Sequence, residues 1–170
     1  MLGYVIAEGR GVADTLLAET AQTLRARGRI VAGVIQINRE NARAGRCDMD
    51  LAVLGHDHVL RISQNLGPHA RGCRLDPTGL EQAVGLVERA LEARPQLLIV
   101  NKFGKTEIEG RGFRRAIGHA LAEGIPVLTA VNAANRDGFL TFSEGLAESV
   151  APQTGAILDW CERACAVAQA

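Results

Sequence analysis

Four short aliphatic runs, almost unbroken by polar residues, constrain this chain more than any other feature: residues 3–7 (GYVIA), 30–37 (IVAGVIQI), 97–100 (LLIV) and 125–131 (IPVLTAV). A strand that is apolar along its whole length is buried on both faces, which is the mark of a parallel sheet covered by helices. Segments with helical periodicity separate these runs. Ala13, Leu16, Leu17, Ala21 and Leu24 predict a helix over 12–27, ended by Gly28. Asp76-Pro77-Thr78 opens a second, with Leu80, Ala83, Val84, Val87 and Leu91 on one stripe to about residue 93. A third is expected over 110–123, carrying Phe113, Ala116, Ile117, Ala120 and Leu121 on one face, and a terminal one over 153–168. Strands alternating with helices give an α/β architecture of three layers, a mainly parallel sheet with helices on both faces.

The stretch between the second strand and second helix has another texture. Residues 38–45 (NRENARAG) are expected to be a polar loop, followed by a β-hairpin insertion near residues 47–63 around Gly55-His56-Asp57-His58. Met49, Leu51 and Val53 alternate with polar neighbours, as an antiparallel strand with one wet face does. Towards the end, a loop over 132–138 is expected to lead into a short strand at 139–142 (FLTF) and a short helix over 143–150.

At 170 residues, one domain with its own core is expected over 1–170. Aromatic residues are 4%, so that core is aliphatic. Formal net charge is zero, which argues against nucleic acid or a membrane surface as an electrostatic partner. No apolar run approaches the ~20 residues that span a bilayer, and residues 1–9 lack the charged start of a signal peptide. A cytoplasmic location is the expectation. Cys161 and Cys165 fall on the apolar stripe of the last helix and are expected to pack as small hydrophobes.

Two stretches carry candidate chemistry. The first strand turns through Glu8-Gly9-Arg10-Gly11 into a helix, the layout of a phosphate-binding loop, in which backbone N–H groups at a helix N-terminus attract an anion. A working triphosphate loop, G-x-x-x-x-G-K-[ST], also needs a lysine and a hydroxyl. Here the two glycines fall on Ala7 and Val12, the lysine on Ala13 and the hydroxyl on Asp14. The second stretch follows LLIV, where Asn101, Lys102, Lys105, Glu107, Glu109 and Arg111 crowd a strand end. Ligands of open α/β sheets bind beyond the carboxyl ends of strands. A nucleotide hydrolase needs an acid there to hold Mg²⁺, and this strand ends in neutral Asn101.

The phrase VNKFGKTEIEGRGFR after its strand resembles a bacterial family of uncharacterised function, related to the small nucleoside-triphosphatases of the P-loop class. In those enzymes the phrase has an Asp-Glu-x-Gly-x-x-Glu form; here Asn101 and Lys102 replace Asp and Glu, while Gly104 and Glu107 persist. GRCDMDL (45–51), RISQNLGPHARGCRLD (61–76) and IPVLTAVN (125–132) carry the resemblance over nearly the whole chain. It implies a three-layer P-loop-like fold. Members of that family are often catalogued as molybdenum ABC transporter ATP-binding proteins, which implies ATP or GTP as candidate nucleotides and protein partners in molybdate handling. The departures at Ala13, Asp14 and Asn101 run against hydrolysis. The resemblance also draws attention to Cys47 and Cys73, which flank the hairpin and, with His56 and His58, would be the candidate ligands were a metal bound. No C-x-x-C pair supports that site.

The resulting expectation is a degenerate P-loop-like protein that holds a nucleotide or another small anion, molybdate among them, without efficient hydrolysis. Gly9, Arg10, Gly11, Asn101, Lys102, Lys105, Glu107 and Arg111 are the candidate ligand-binding residues. One rival is a nucleoside-triphosphatase using a displaced lysine, with Glu107 as its base. Another is a non-catalytic partner in molybdate transport or cofactor assembly. Homo-oligomerisation stays open.

Overall fold

A computed structural model describes residues 1–41, 46–56, 58–64 and 75–168, with backbone alone for 39–41 and 46–48. Among them, strands β1 (Leu2–Val5), β2 (Val31–Asn41), β3 (Arg46–Leu54), β4 (His58–Arg61), β5 (Leu97–Phe103), β6 (Val127–Val131) and β7 (Ala147–Val150) form one sheet in the order β4-β3-β2-β5-β6-β1-β7. β2, β5, β6, β1 and β7 run parallel; β3 pairs antiparallel with β2 and with β4. The sheet is therefore mostly parallel, with an antiparallel hairpin at one edge.

Helices α1 (Val12–Ala26) and α6 (Thr154–Ala168) cover one face; α2 (Pro77–Leu91), α4 (Arg114–Ala122) and α5 (Arg136–Ser143) cover the other. The two-residue period of a strand divides the core between them. On β5, Leu97 and Ile99 join Leu17, Leu24, Ile157 and Trp160 on the first face, whereas Leu98 and Val100 join Val87, Ile117 and Phe139 on the second. Among the described residues, no helix is long and apolar enough to cross a membrane.

Four local expectations need correction. Residues 38–41 are not loop: β2 continues through Asn41, paired with β3 from Gly33↔Leu54 to Asn41↔Arg46. Cross-strand pairing overrides their polar composition, because this end of β2 has left β5 behind and forms a two-stranded ribbon. The strand expected at 97–100 reaches Phe103, which pairs with Val131 after a register shift, so Asn101 and Lys102 are strand residues rather than turn residues. The helix expected from residue 110 begins at Arg114, preceded by a separate turn of helix, α3 (Lys105–Ile108); Gly110 (φ 88°) and Gly112 (φ 61°) interrupt the two.

Past β6 the fourth correction reverses two assignments. Residues 139–142 lie in α5, where Phe139 is fully buried against Tyr4 and Phe103. Residues 147–150 form β7 rather than a helix. Left-handed Glu144 and Gly145 stop α5, and the chain then pairs with β1.

Candidate functional site

Between β1 and α1 the chain turns tightly enough to put Gly9 (φ 95°) and Gly11 (φ 77°) in the left-handed region, where a side chain is strained. Gly11 precedes the first residue of α1, and no side chain caps that helix. Its first-turn N–H groups have no intrahelical acceptor and are left to solvent or to an anion. Arg10, exposed between the two glycines, has no ion-pair partner among the described residues.

This loop forms one wall of a cleft of about 450 Å³. The other walls come from Gln36 and Asn38 of β2, Lys102 of β5, and Val131 and Asn132 at the end of β6. The cleft thus opens at the carboxyl ends of the parallel strands, where open α/β sheets place their ligands.

Asp14 is the hub of the cleft. It lies in the first turn of α1 and is 6% exposed. Its Oδ1 accepts a hydrogen bond from Asn101 Nδ2 at 2.7 Å, and its Oδ2 accepts from Asn38 Nδ2 at 2.6 Å and from Gln36 Nε2 at 3.4 Å. Gln36 Nε2 also donates to Asn38 Oδ1 at 2.8 Å, and Lys102 Nζ stands 3.7 Å from Asp14 Oδ1. A buried carboxylate is held by neutral amides and one ammonium, the compensation such a charge needs.

The structure brings together some of the residues singled out in the sequence and separates others. Gly9, Arg10, Gly11 and Lys102 line the cleft, and Asn101 is bonded to its floor through Asp14. Lys105 and Arg111 do not line it. Lys105 Nζ lies 3.7 Å from Glu109 Oε1 and Arg111 Nη2 lies 2.5 Å from Glu109 Oε2, and all three residues are exposed. The hydrogen bond from Arg111 holds the Glu109 carboxyl below its ordinary value.

Glu107 is also set apart from the cleft. Both its oxygens are committed to the backbone: Oε2 accepts from Gly104 N at 2.9 Å and Oε1 from Phe113 N at 3.1 Å. Burial pushes its pKa up, and the backbone donors pull it back only in part. In this arrangement Glu107 clamps the α3 loop. Of the metal candidates, Cys73 lies outside the described residues, as does the side chain of Cys47; the His56 and His58 rings stack with centroids 6.3 Å apart.

Sequence reasoning missed Gln36, Asn38 and Asn132 and did not foresee Asp14 as the centre. A signal for two of them was present. Gln36 and Asn38 stand two apart after an apolar run, and so on one face of an extended strand.

A glycine turn leading from the first strand into a helix, with β6 seated between β1 and β5, gives this chain an α/β fold of P-loop-like form. Over the full length of both chains the structure is similar to the crystal structure of THEP1 from the hyperthermophile Aquifex aeolicus, with a TM-score of 0.66 at 10% identity, a likeness of fold alone. The chain belongs to the family described as a protein of unknown function, DUF2478, whose pattern its residues 2–160 match. It is also 35% identical over 147 residues to the molybdenum import ATP-binding protein ModC 2 of Bradyrhizobium diazoefficiens. That match takes in 86% of this chain, which spans only 16% of the length of that relative.

Proposed function

We propose that this chain binds a small anion, a nucleotide or an oxyanion, in the cleft between the first loop and β5, and does so without efficient hydrolysis. The observation that carries the reading is the pairing of an uncapped helix N-terminus behind two left-handed glycines with two cations, Arg10 and Lys102, around one cleft. Among the described residues Asp14 is the sole acid in that lining, and Lys102 lies beside it. Against turnover stand a neutral Asn101 at the strand position that would hold Mg²⁺ through water and a Glu107 whose two oxygens already accept backbone N–H groups. The name of the ModC 2 relative supports molybdate and ATP as the first ligands to try, and a molybdate-handling protein as a partner.

Isothermal titration calorimetry with ATP, GTP, molybdate and inorganic phosphate tests this. Replacing Arg10 and Lys102 together by Ala is expected to weaken binding roughly tenfold, two partly exposed charges at up to about 1 kcal/mol each. Lys105→Ala is expected to leave it within about twofold, since that lysine lies off the cleft. Equal binding by the double variant and the parent would remove the cleft from the account. A phosphate-release assay with Mg²⁺ is expected to stay at blank level, and sustained release would favour the nucleoside-triphosphatase reading instead.

A further inference from the structure

Beside the anion cleft, and sharing Gln36, Met49 and Lys102 with it, lies a second pocket of about 260 Å³. Its walls are mostly apolar: Val34 and Leu51 from the sheet, Ile62 beyond β4, Leu80 of α2 and Phe113 ahead of α4. Glu107 also borders it, but with both oxygens already occupied. Asn101 lines this pocket and not the cleft.

Asp14 decides how that amide is turned. A carboxylate only accepts, so Asn101 must present Nδ2 to it, which leaves Oδ1 at the other end of the amide. That oxygen is buried without a hydrogen-bond partner, the one such side-chain atom among the described residues, on a residue only 1% exposed. Buried carbonyl oxygens are seldom left without a donor. A concave, mostly apolar surface with a few fixed polar groups is the usual make-up of a small-molecule site.

Building on the anion-site reading, we propose that this pocket receives a flat heteroaromatic ring whose N–H donates to Asn101 Oδ1, while a phosphate joined to the ring sits at Arg10, Lys102 and the first loop. Lys102 borders both chambers and marks their junction. The apolar faces of such a ring suit Leu51, Leu80 and Phe113, and its edge supplies the missing donor. A purely aliphatic chain would leave Asn101 Oδ1 unsatisfied, and a bare oxyanion would leave the pocket unfilled. The ligand class is therefore a ring phosphate of mononucleotide size.

Calorimetry with AMP, GMP, CMP and UMP, the four parent nucleosides and inorganic phosphate separates this proposal from the one it rests on. At least one mononucleotide is expected to bind about tenfold or more tighter than inorganic phosphate. Leu75→Trp, which fills the pocket from a half-buried position, is expected to erase that advantage and leave inorganic phosphate binding unchanged. Thr106→Trp does the same from α3 and serves if the first variant folds poorly. Equal affinity for phosphate and all four mononucleotides would overturn the ring pocket and leave the anion site standing, as would an advantage that survives both substitutions. Binding of a nucleoside without any binding of phosphate would overturn the joined ligand and the anion site together. Silence from every probe would do likewise.

Discussion

Replacing Glu107 by Ala separates a structural carboxylate from a functional one. In the native structure its two oxygens satisfy the N–H groups of Gly104 and Phe113, at 2.9 and 3.1 Å. Each donor left without a partner costs about 1–3 kcal/mol. The Phe113 donor is buried and carries the full cost, whereas the one at Gly104 is partly buried and recovers some hydration. Against this, a carboxylate that burial disfavours is removed. The net expectation is a loss of about 2–4 kcal/mol, roughly 5–15 °C in Tm for a chain of this length. Glu107→Gln keeps one acceptor and should lose about half as much. The pH dependence has a definite sign. The folded pKa is raised, so this group's contribution is fully present below the ordinary carboxylate range and is lost as pH rises through the raised value. The stability gap between the parent and Glu107→Gln should therefore narrow as pH rises across that window. Urea unfolding at several pH values, with ligand calorimetry on the same variants, reads both quantities. A Glu107→Ala protein within about 0.5 kcal/mol of the parent, but with ligand binding abolished, would refute the clamp and return Glu107 to the ligand.

Asp14→Asn removes a negative charge from the cleft and should strengthen molybdate or phosphate binding by roughly fivefold, about 1 kcal/mol of relieved repulsion. It should also lower unfolding stability by about 1–3 kcal/mol, because an amide cannot accept from Asn38, Gln36 and Asn101 as a carboxylate does; calorimetry and urea titration check the two effects separately. Gly112→Ala should destabilise by about 1–3 kcal/mol in thermal unfolding, since its left-handed backbone is strained for alanine and the new Cβ would run into the Glu107 carboxylate. Burial pushes the Cys161 thiol up to about 12, so mass-spectrometric mapping after alkylation at neutral pH should find it modified only once the protein is unfolded.

Most of the fold was legible because the aliphatic strands and amphipathic helices each follow one dominant period. The misreadings fall where tertiary pairing outweighs local composition. Residues 38–41 look like loop because they are polar, yet β3 supplies their backbone partners. Residues 139–142 look like strand because of their aromatics, yet Phe139 and Phe142 reach the Phe103 ring from one helix face, three residues apart. At the site, the charged stretch after β5 was visible but its division was not. Strand alternation turns Lys102 towards solvent and buries Asn101 and Phe103, a consequence of β5 running three residues further than its apolar run. The role of Asp14 depends on a partner 87 residues away, which no local spacing can reveal.

The position of β1 has a kinetic consequence. Its neighbours in the sheet are β6 and β7, with Leu2 opposite both Val127 and Ala147. Closing such long loops is entropically slow, and contacts of this separation delay folding. During synthesis, β1 is made well over a hundred residues before the strands it pairs with, and waits for them. The loop at Gly9–Gly11 is positioned against β5 and β6 only once β1 is seated between β6 and β7. The cleft should therefore be among the last features to form on refolding, well after the β2–β3–β4 meander, whose partners lie close together in the chain.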